Sequence, residues 1–142
     1  MKYENYMKLE FPSNYCNEAF ARSAVACFAA QLEPSSEELG DIRTAVSEAV
    51  TNSIIHAYPR EPGIITLRCR ILEDHVLDIV IKDRGVGIPN LEQARMPLYT
   101  TGGSEHSGMG FTIMEYLMTN FSVASVHGKG TAVHMKIRIK MK

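Results

Sequence analysis

Glu48 and Asn52 stand four residues apart in the run Ser47-Glu48-Ala49-Val50-Thr51-Asn52-Ser53-Ile54-Ile55-His56. On a helix, positions i, i+4 and i+8 share one stripe, so Glu48, Asn52 and His56 fall in line. At about 100° per residue that stripe lies beside the apolar one, not within it. A solvated polar face would account for the Glu-x-x-x-Asn spacing on its own. Asn is a poor helix former, however, and needs a reason to sit mid-helix. Its neutral amide oxygen suits Mg²⁺, an ion that keeps several waters and takes most other oxygens from phosphates. A carboxylate one turn earlier can accept the proton of an incoming hydroxyl.

Two glycine-bearing segments follow. In Asp83-Arg84-Gly85-Val86-Gly87-Ile88 an acid ends a strand, and the glycines let backbone approach a flat ligand. A carboxylate there can accept from an adenine amine and repels the carbonyl that guanine presents in its place. An Asp-led turn is the competing explanation. Ser107-Gly108-Met109-Gly110-Phe111 opens a helix, and glycine-rich backbone at a helix start is a ready anion site. The chain contains no G-x-x-x-x-G-K-[ST], so this is not a P-loop. Nor do the glycines join strand to helix within a βαβ repeat, as a dinucleotide fold requires. His106 and Arg84 are weaker candidates for phosphate contact, Thr131 for support near Asp83, and Arg22 for a partner contact. Each of these four also reads as an ordinary loop, strand or surface residue.

The elements that must hold these groups are legible. Tyr6 to Phe11 alternates as a first strand, and a helix spans about Ser13 to Leu32, ended by Glu33-Pro34. Ser35 and Glu38 form a capping-box pattern that starts a second helix. Its apolar positions Leu39, Ile42, Val46, Ala49, Val50, Ser53 and Ala57 keep the helical period until Pro59. Ile65 to Ile71 and Leu77 to Asp83 are alternating strands around the turn Glu73-Asp74-His75. The stretch from Arg84 to Gly108 has little periodicity. A third helix from Gly110 to Met118 and two strands complete the chain, the last over Thr131 to Lys140. The order β-α-α-β-β-loop-α-β-β predicts an α/β two-layer sandwich: a mixed, mainly antiparallel sheet covered on one face by helices. One domain over 1–142 is expected.

Composition excludes broad alternatives. The 142 residues are 45% hydrophobic and 22% charged, with a net charge of −1. Such a balance gives no general pull on nucleic acid or anionic lipid. The longest apolar run, Ala24 to Ala30, is far short of a membrane span. The N-terminal residues show no signal-peptide pattern, so a cytoplasmic setting is expected. Cys16, Cys27 and Cys69 form no Cys-x-x-Cys pair and are expected to act as small buried hydrophobes.

Taken together, these motifs resemble those of the GHKL ATPase and kinase superfamily. The Glu48/Asn52 segment is similar to its N-box, Asp83-Arg84-Gly85-Val86-Gly87 to its first glycine box and Gly108-Met109-Gly110 to its second. The closest likeness is to its branch of sporulation anti-sigma-factor kinases, over about Phe20 to Thr131. That resemblance implies a histidine-kinase-like ATPase fold and a protein-serine kinase dependent on ATP and Mg²⁺. It also implies a homodimer that holds sporulation sigma factor F inactive and phosphorylates a serine of an anti-anti-sigma factor. Carried over by position, Asn52 becomes the Mg²⁺ ligand, Glu48 the catalytic base and Asp83 the adenine acceptor. His56, Gly85, Gly87, Ile88, Thr101, Ser107, Gly108, Met109, Gly110, Phe111 and Thr131 border the nucleotide. Pro97 to Ser107 becomes a lid over ATP, and Arg22 a protein contact. One position departs: members usually carry arginine where His106 stands, and the lid here is one residue shorter. Histidine lacks the guanidinium fork and is mostly neutral near pH 7. The departure keeps a second function open, a nucleotide-gated sigma-binding module without useful catalysis. A two-component histidine kinase would need a phosphoacceptor hairpin, which is not expected ahead of the first strand.

Overall fold

Period-two alternation builds the sheet. Ile65, Leu67, Cys69 and Ile71 are buried, while Thr66, Arg68 and Arg70 between them face outward, on a strand that runs over Ile64–Leu72. The computed structural model describes residues 3–88 and 110–141. In it the strands are β1 (Tyr3–Pro12), β2 (Ile64–Leu72), β3 (Val76–Asp83), β4 (Asn120–Val126) and β5 (Gly130–Arg138). They form one sheet in the order β1-β2-β3-β5-β4. Every neighbouring pair is antiparallel, which corrects the expectation of a mixed sheet. The reason lies in the long connection after β3: it delivers β4 to the outer edge, and the hairpin then returns β5 against β3. At the β2–β3 turn, Asp74 and His75 both take positive φ, 65° and 61°, the twist that hairpin turns favour.

Helix α1 (Cys16–Ala29) continues as a 3₁₀ turn (Ala30–Leu32) and stops at Glu33, whose φ is 51°. Pro34 follows and cannot continue a helix. Helix α2 (Ser36–Asn52) starts on the predicted capping box. Glu38 N–H donates to Ser35 Oγ at 3.1 Å, and Ser35 N–H to Glu38 Oε1 at 2.9 Å. Glu38 Oε2 accepts from the Lys140 N–H at 2.9 Å, which ties the start of α2 to the end of the sheet. Burial raises the Glu38 pKa, but the Lys140 and Ser35 bonds outweigh it and hold the carboxyl below its usual value. Past Asn52 the helix does not keep its 3.6 period. Ser53–Ala57 form one π turn. Helix α3 (Gly110–Leu117) follows the undescribed stretch.

Ala21, Val25 and Ala29 of α1, Ile42, Val46 and Val50 of α2, and Phe111 and Met114 of α3 meet the inner face of the sheet in one core. Each fully buried large aliphatic side chain contributes about 1.5–3 kcal/mol. The outer face carries a polar cluster. Asp78 is 0% exposed because Arg70 Nη2 and Nε close on its Oδ2 at 2.8 and 3.0 Å and His134 Nε2 on its Oδ1. Burial raises the Asp78 pKa, yet His134 and Arg70 more than offset it and hold the carboxyl below its ordinary value. Two of the three cysteines depart from expectation: Cys16 and Cys27 are exposed on α1, and only Cys69 is buried. Both occupy the solvent side of an amphipathic helix, where an alanine-rich stretch gives little periodicity to read. Burial, then Asp78, pushes the Cys69 thiol up to about 12. No helix among the described residues is long and apolar enough to cross a membrane.

Candidate functional site

Asp83 closes β3 at the end of the sheet nearest the π turn. It is 5% exposed, and three donors hold its carboxylate. Gly85 N–H and Thr131 N–H donate to Oδ1 at 3.0 and 3.1 Å, and Ser53 Oγ–H donates to Oδ2 at 3.0 Å. Burial pushes its pKa above the ordinary value, and the three bonds pull against that without cancelling it. The Asp-led turn is thus present, since Gly85 N–H makes the turn bond. Among the described residues Oδ2 takes one donor. A carboxylate oxygen accepts more than one, so it retains capacity for an exocyclic amine. The glycines around it are dictated by contact. A Cβ on Gly85 would overlap the Ala57 carbonyl, and one on Gly130, at φ 126°, would overlap the Asp83 carbonyl. Gly87, at φ 74°, lies equally close to the Val126 carbonyl. Ile88 N–H donates to Ser125 Oγ at 2.8 Å, joining this loop to β4.

Glu48 and Asn52 lie half-buried on α2, not on a fully solvated face. Both reach Gly110, the first residue of α3. A Cβ built there would lie 3.0 Å from Asn52 Nδ2, 3.0 Å from Glu48 Oε2 and 3.4 Å from Asn52 Oδ1. Carboxylate, amide and helix start therefore share one small space, kept open by a residue without a side chain. This donor set fits a hard cation: a neutral amide oxygen with a carboxylate beside it, the oxygen ligands that Mg²⁺ takes alongside water and phosphate. His56 is half-buried on the π turn, which displaces it from the Glu48–Asn52 line. π turns inside helices recur at functional sites. Phe111 is buried against Phe121, ring centroids 6.1 Å apart, so its side chain belongs to the core. Thr131 reaches Asp83 through its backbone, while its Oγ1 lies 2.8 Å from Ser125 Oγ. Arg84 is exposed. Thr101, His106, Ser107, Gly108, Met109 and the expected lid lie outside the described residues.

Three contributors were not foreseen. Ser53 looks like one more small core residue in the helical pattern, but the π turn aims its hydroxyl at Asp83. Tyr58 O–H donates to the Ile64 carbonyl at 2.7 Å and accepts from Arg84 N–H at 2.8 Å, tying the β2 start to the loop after β3. Ser125 holds Ile88. Only tertiary contact discloses these roles. Serine at the end of a helix and next to glycine-rich backbone was the available signal.

Comparison with known proteins gives the family and the fold. Residues 11–137 match the model of the histidine kinase-like ATPase domain. The chain is 54% identical over 136 residues to the anti-sigma F factor of Caldanaerobacter subterraneus subsp. tengcongensis, covering 95% of this chain and 94% of that protein. The chain belongs to the anti-sigma F factor family. Another member of that family, from Geobacillus stearothermophilus, is 51% identical and 91% covered, with 93% of this chain aligned. Among solved structures, the RsbU and RsbW domains of a Mycobacterium tuberculosis protein superpose with a TM-score of 0.72 at 16% identity. That match spans 98% of this chain and 34% of the other. It shows the shared fold. The matched ATPase domain implies nucleotide binding.

Proposed function

We propose that this chain is both an inhibitor of sporulation sigma factor F and a protein-serine kinase. It transfers the γ-phosphoryl group of ATP to a serine of an anti-anti-sigma factor, as a cytoplasmic homodimer whose whole length, 1–142, is one ATP-binding domain. The names of its relatives support the sigma partner. The observation that carries the kinase reading is the convergence of Glu48 and Asn52 on Gly110. Mere nucleotide binding needs no base in that place.

Asp83 Oδ2 accepts the adenine amine. The Asn52 amide oxygen would hold Mg²⁺, which would neutralise phosphate charge. Glu48 accepts the proton of the acceptor serine as its oxygen bonds to the γ-phosphorus and the bond to ADP breaks. Phosphoryl transfer asks mainly for positioning and charge neutralisation, and the parts rest on two helices and a strand end. Gly108-Met109-Gly110 are proposed to cradle the phosphates from the start of α3.

The deciding experiment mixes γ-labelled ATP, the protein and an anti-anti-sigma factor, with Glu48→Gln as control. Label should pass to the acceptor's serine with wild type and not with the variant, while both bind nucleotide equally. His106, a departure from the arginine that the family resemblance implies at that position, favours the alternative. Stable complexes with no label transferred by wild type would establish the nucleotide-gated module instead.

A further inference from the structure

Arg22 and Ser23 of α1 and Arg43, Thr44, Ser47 and Glu48 of α2 line a cavity of about 410 Å³. Glu48 is the one carboxylate among the described residues of its lining, and the same side chain borders Gly110 and Asn52. The cavity is therefore the outer approach to the proposed base. Its two guanidinium groups are not equivalent. Arg22 Nε faces Glu18 Oε2 at 3.3 Å on its own helix. Arg43 is exposed, and the helical neighbours that could pair with it are Leu39, Gly40, Val46 and Ser47, none of them acidic. Among the described residues it makes no ion pair. Two cations facing one cavity repel each other. Three hydroxyls, from Ser23, Thr44 and Ser47, add donors beside them. Such a lining is complementary to an anion carried on a polar segment, not to an apolar one.

We propose that this groove receives the segment of the protein substrate that bears the phosphoacceptor serine, and that Arg43 reads an acidic side chain beside that serine. Arg43 is a specificity residue: it touches neither ATP nor the reacting atoms. The placement of the serine at Glu48 rests on the kinase reading, whereas the acidic contact at Arg43 does not.

The test uses the full chain with an anti-anti-sigma factor as probe. Binding is measured by calorimetry with Mg-ADP at low and high salt, and transfer kinetics with Mg-ATP. Arg43→Glu should weaken acceptor binding about a hundredfold and Arg43→Lys only slightly, since like charges facing across an interface are strongly unfavourable. The salt dependence of binding should flatten in Arg43→Ala. KM for the acceptor should rise while kcat and ATP affinity stay at wild-type values. Wild-type acceptor binding by Arg43→Glu overturns the proposal, as does a change confined to kcat. Loss of binding in Arg43→Glu with no phosphoryl transfer by wild type upholds the groove and overturns the kinase reading. Equal transfer at equal KM by both does the reverse. A wild-type chain that binds no acceptor overturns both.

Discussion

Replacing Asp83 with asparagine should separate base recognition from folding. The amide keeps an oxygen for Gly85 and Thr131, and Ser53 can turn its hydroxyl to accept from the new NH₂. What it cannot do is accept from adenine, because two donors then face each other. ATP affinity should fall about a hundredfold, in keeping with about 1.5–3 kcal/mol for a hydrogen bond to a charged group. Nucleotide-free Tm at neutral pH should equal or exceed wild type. The sign follows from the direction of the shift. With a folded pKa above the unfolded one, Asp83 favours the fold fully at acid pH, and that contribution is lost as pH rises through the folded value. Fluorescent-nucleotide titration and thermal melts check the two halves separately. Asn52→Ala should abolish Mg-dependent nucleotide binding, leaving any residual binding indifferent to chelator. Glu48→Gln, by contrast, keeps the nucleotide and loses transfer.

At the level of elements, the packing of α3 on α2 sets the geometry of the site. Gly110→Ala places a methyl 3.0 Å from both Glu48 Oε2 and Asn52 Nδ2. Those side chains can swing away, so the fold should survive with a small loss in Tm while ATP binding and transfer fall together. Wild-type activity in Gly110→Ala would mean that the two side chains do not work in the positions seen. Gly85→Ala is a harsher change, because the obstacle is the Ala57 backbone. The α2 cap gives an independent measure of helix strength. Ser35→Ala should cost about 1 kcal/mol in denaturant melts, without altering nucleotide affinity.

On the scale of the whole molecule, part of the acid sensitivity lies on the outer face of the sheet. Asp78 has a folded pKa below its unfolded one, so it stabilises the fold above the unfolded value and stops doing so as pH falls through the folded one. Asp78→Asn should lower stability at neutral pH, leaving Arg70 and His134 without their shared partner, and should flatten the acid limb of a Tm–pH profile. An unchanged acid limb would show that other carboxylates govern it. This cluster also marks the limit of what the sequence discloses. Alternation puts Arg70, Asp78 and His134 opposite the apolar positions of their strands. It could not tell that three outward residues on three strands meet, since register and strand order decide that. The capping box, the β2–β3 hairpin and the Glu48–Asn52 pair were legible because local rules govern them. Ser53, Tyr58 and the π turn were not, because each answers to a neighbour thirty or so residues away or to a backbone crossing. The insertion of β5 between β3 and β4 was hidden for the same reason.

The carboxylate of Asp83 joins three parts of the chain that are far apart in sequence: the π turn through Ser53, the loop after β3 through Gly85, and the start of β5 through Thr131. A base that takes up the remaining capacity of Oδ2 becomes a fourth strut in that joint. Nucleotide occupancy should then be readable far from the phosphates, as slower deuterium uptake at the Gly85 and Thr131 amides. The end of the sheet would serve as a strain gauge for adenine, reporting its presence even in a variant that cannot transfer phosphate.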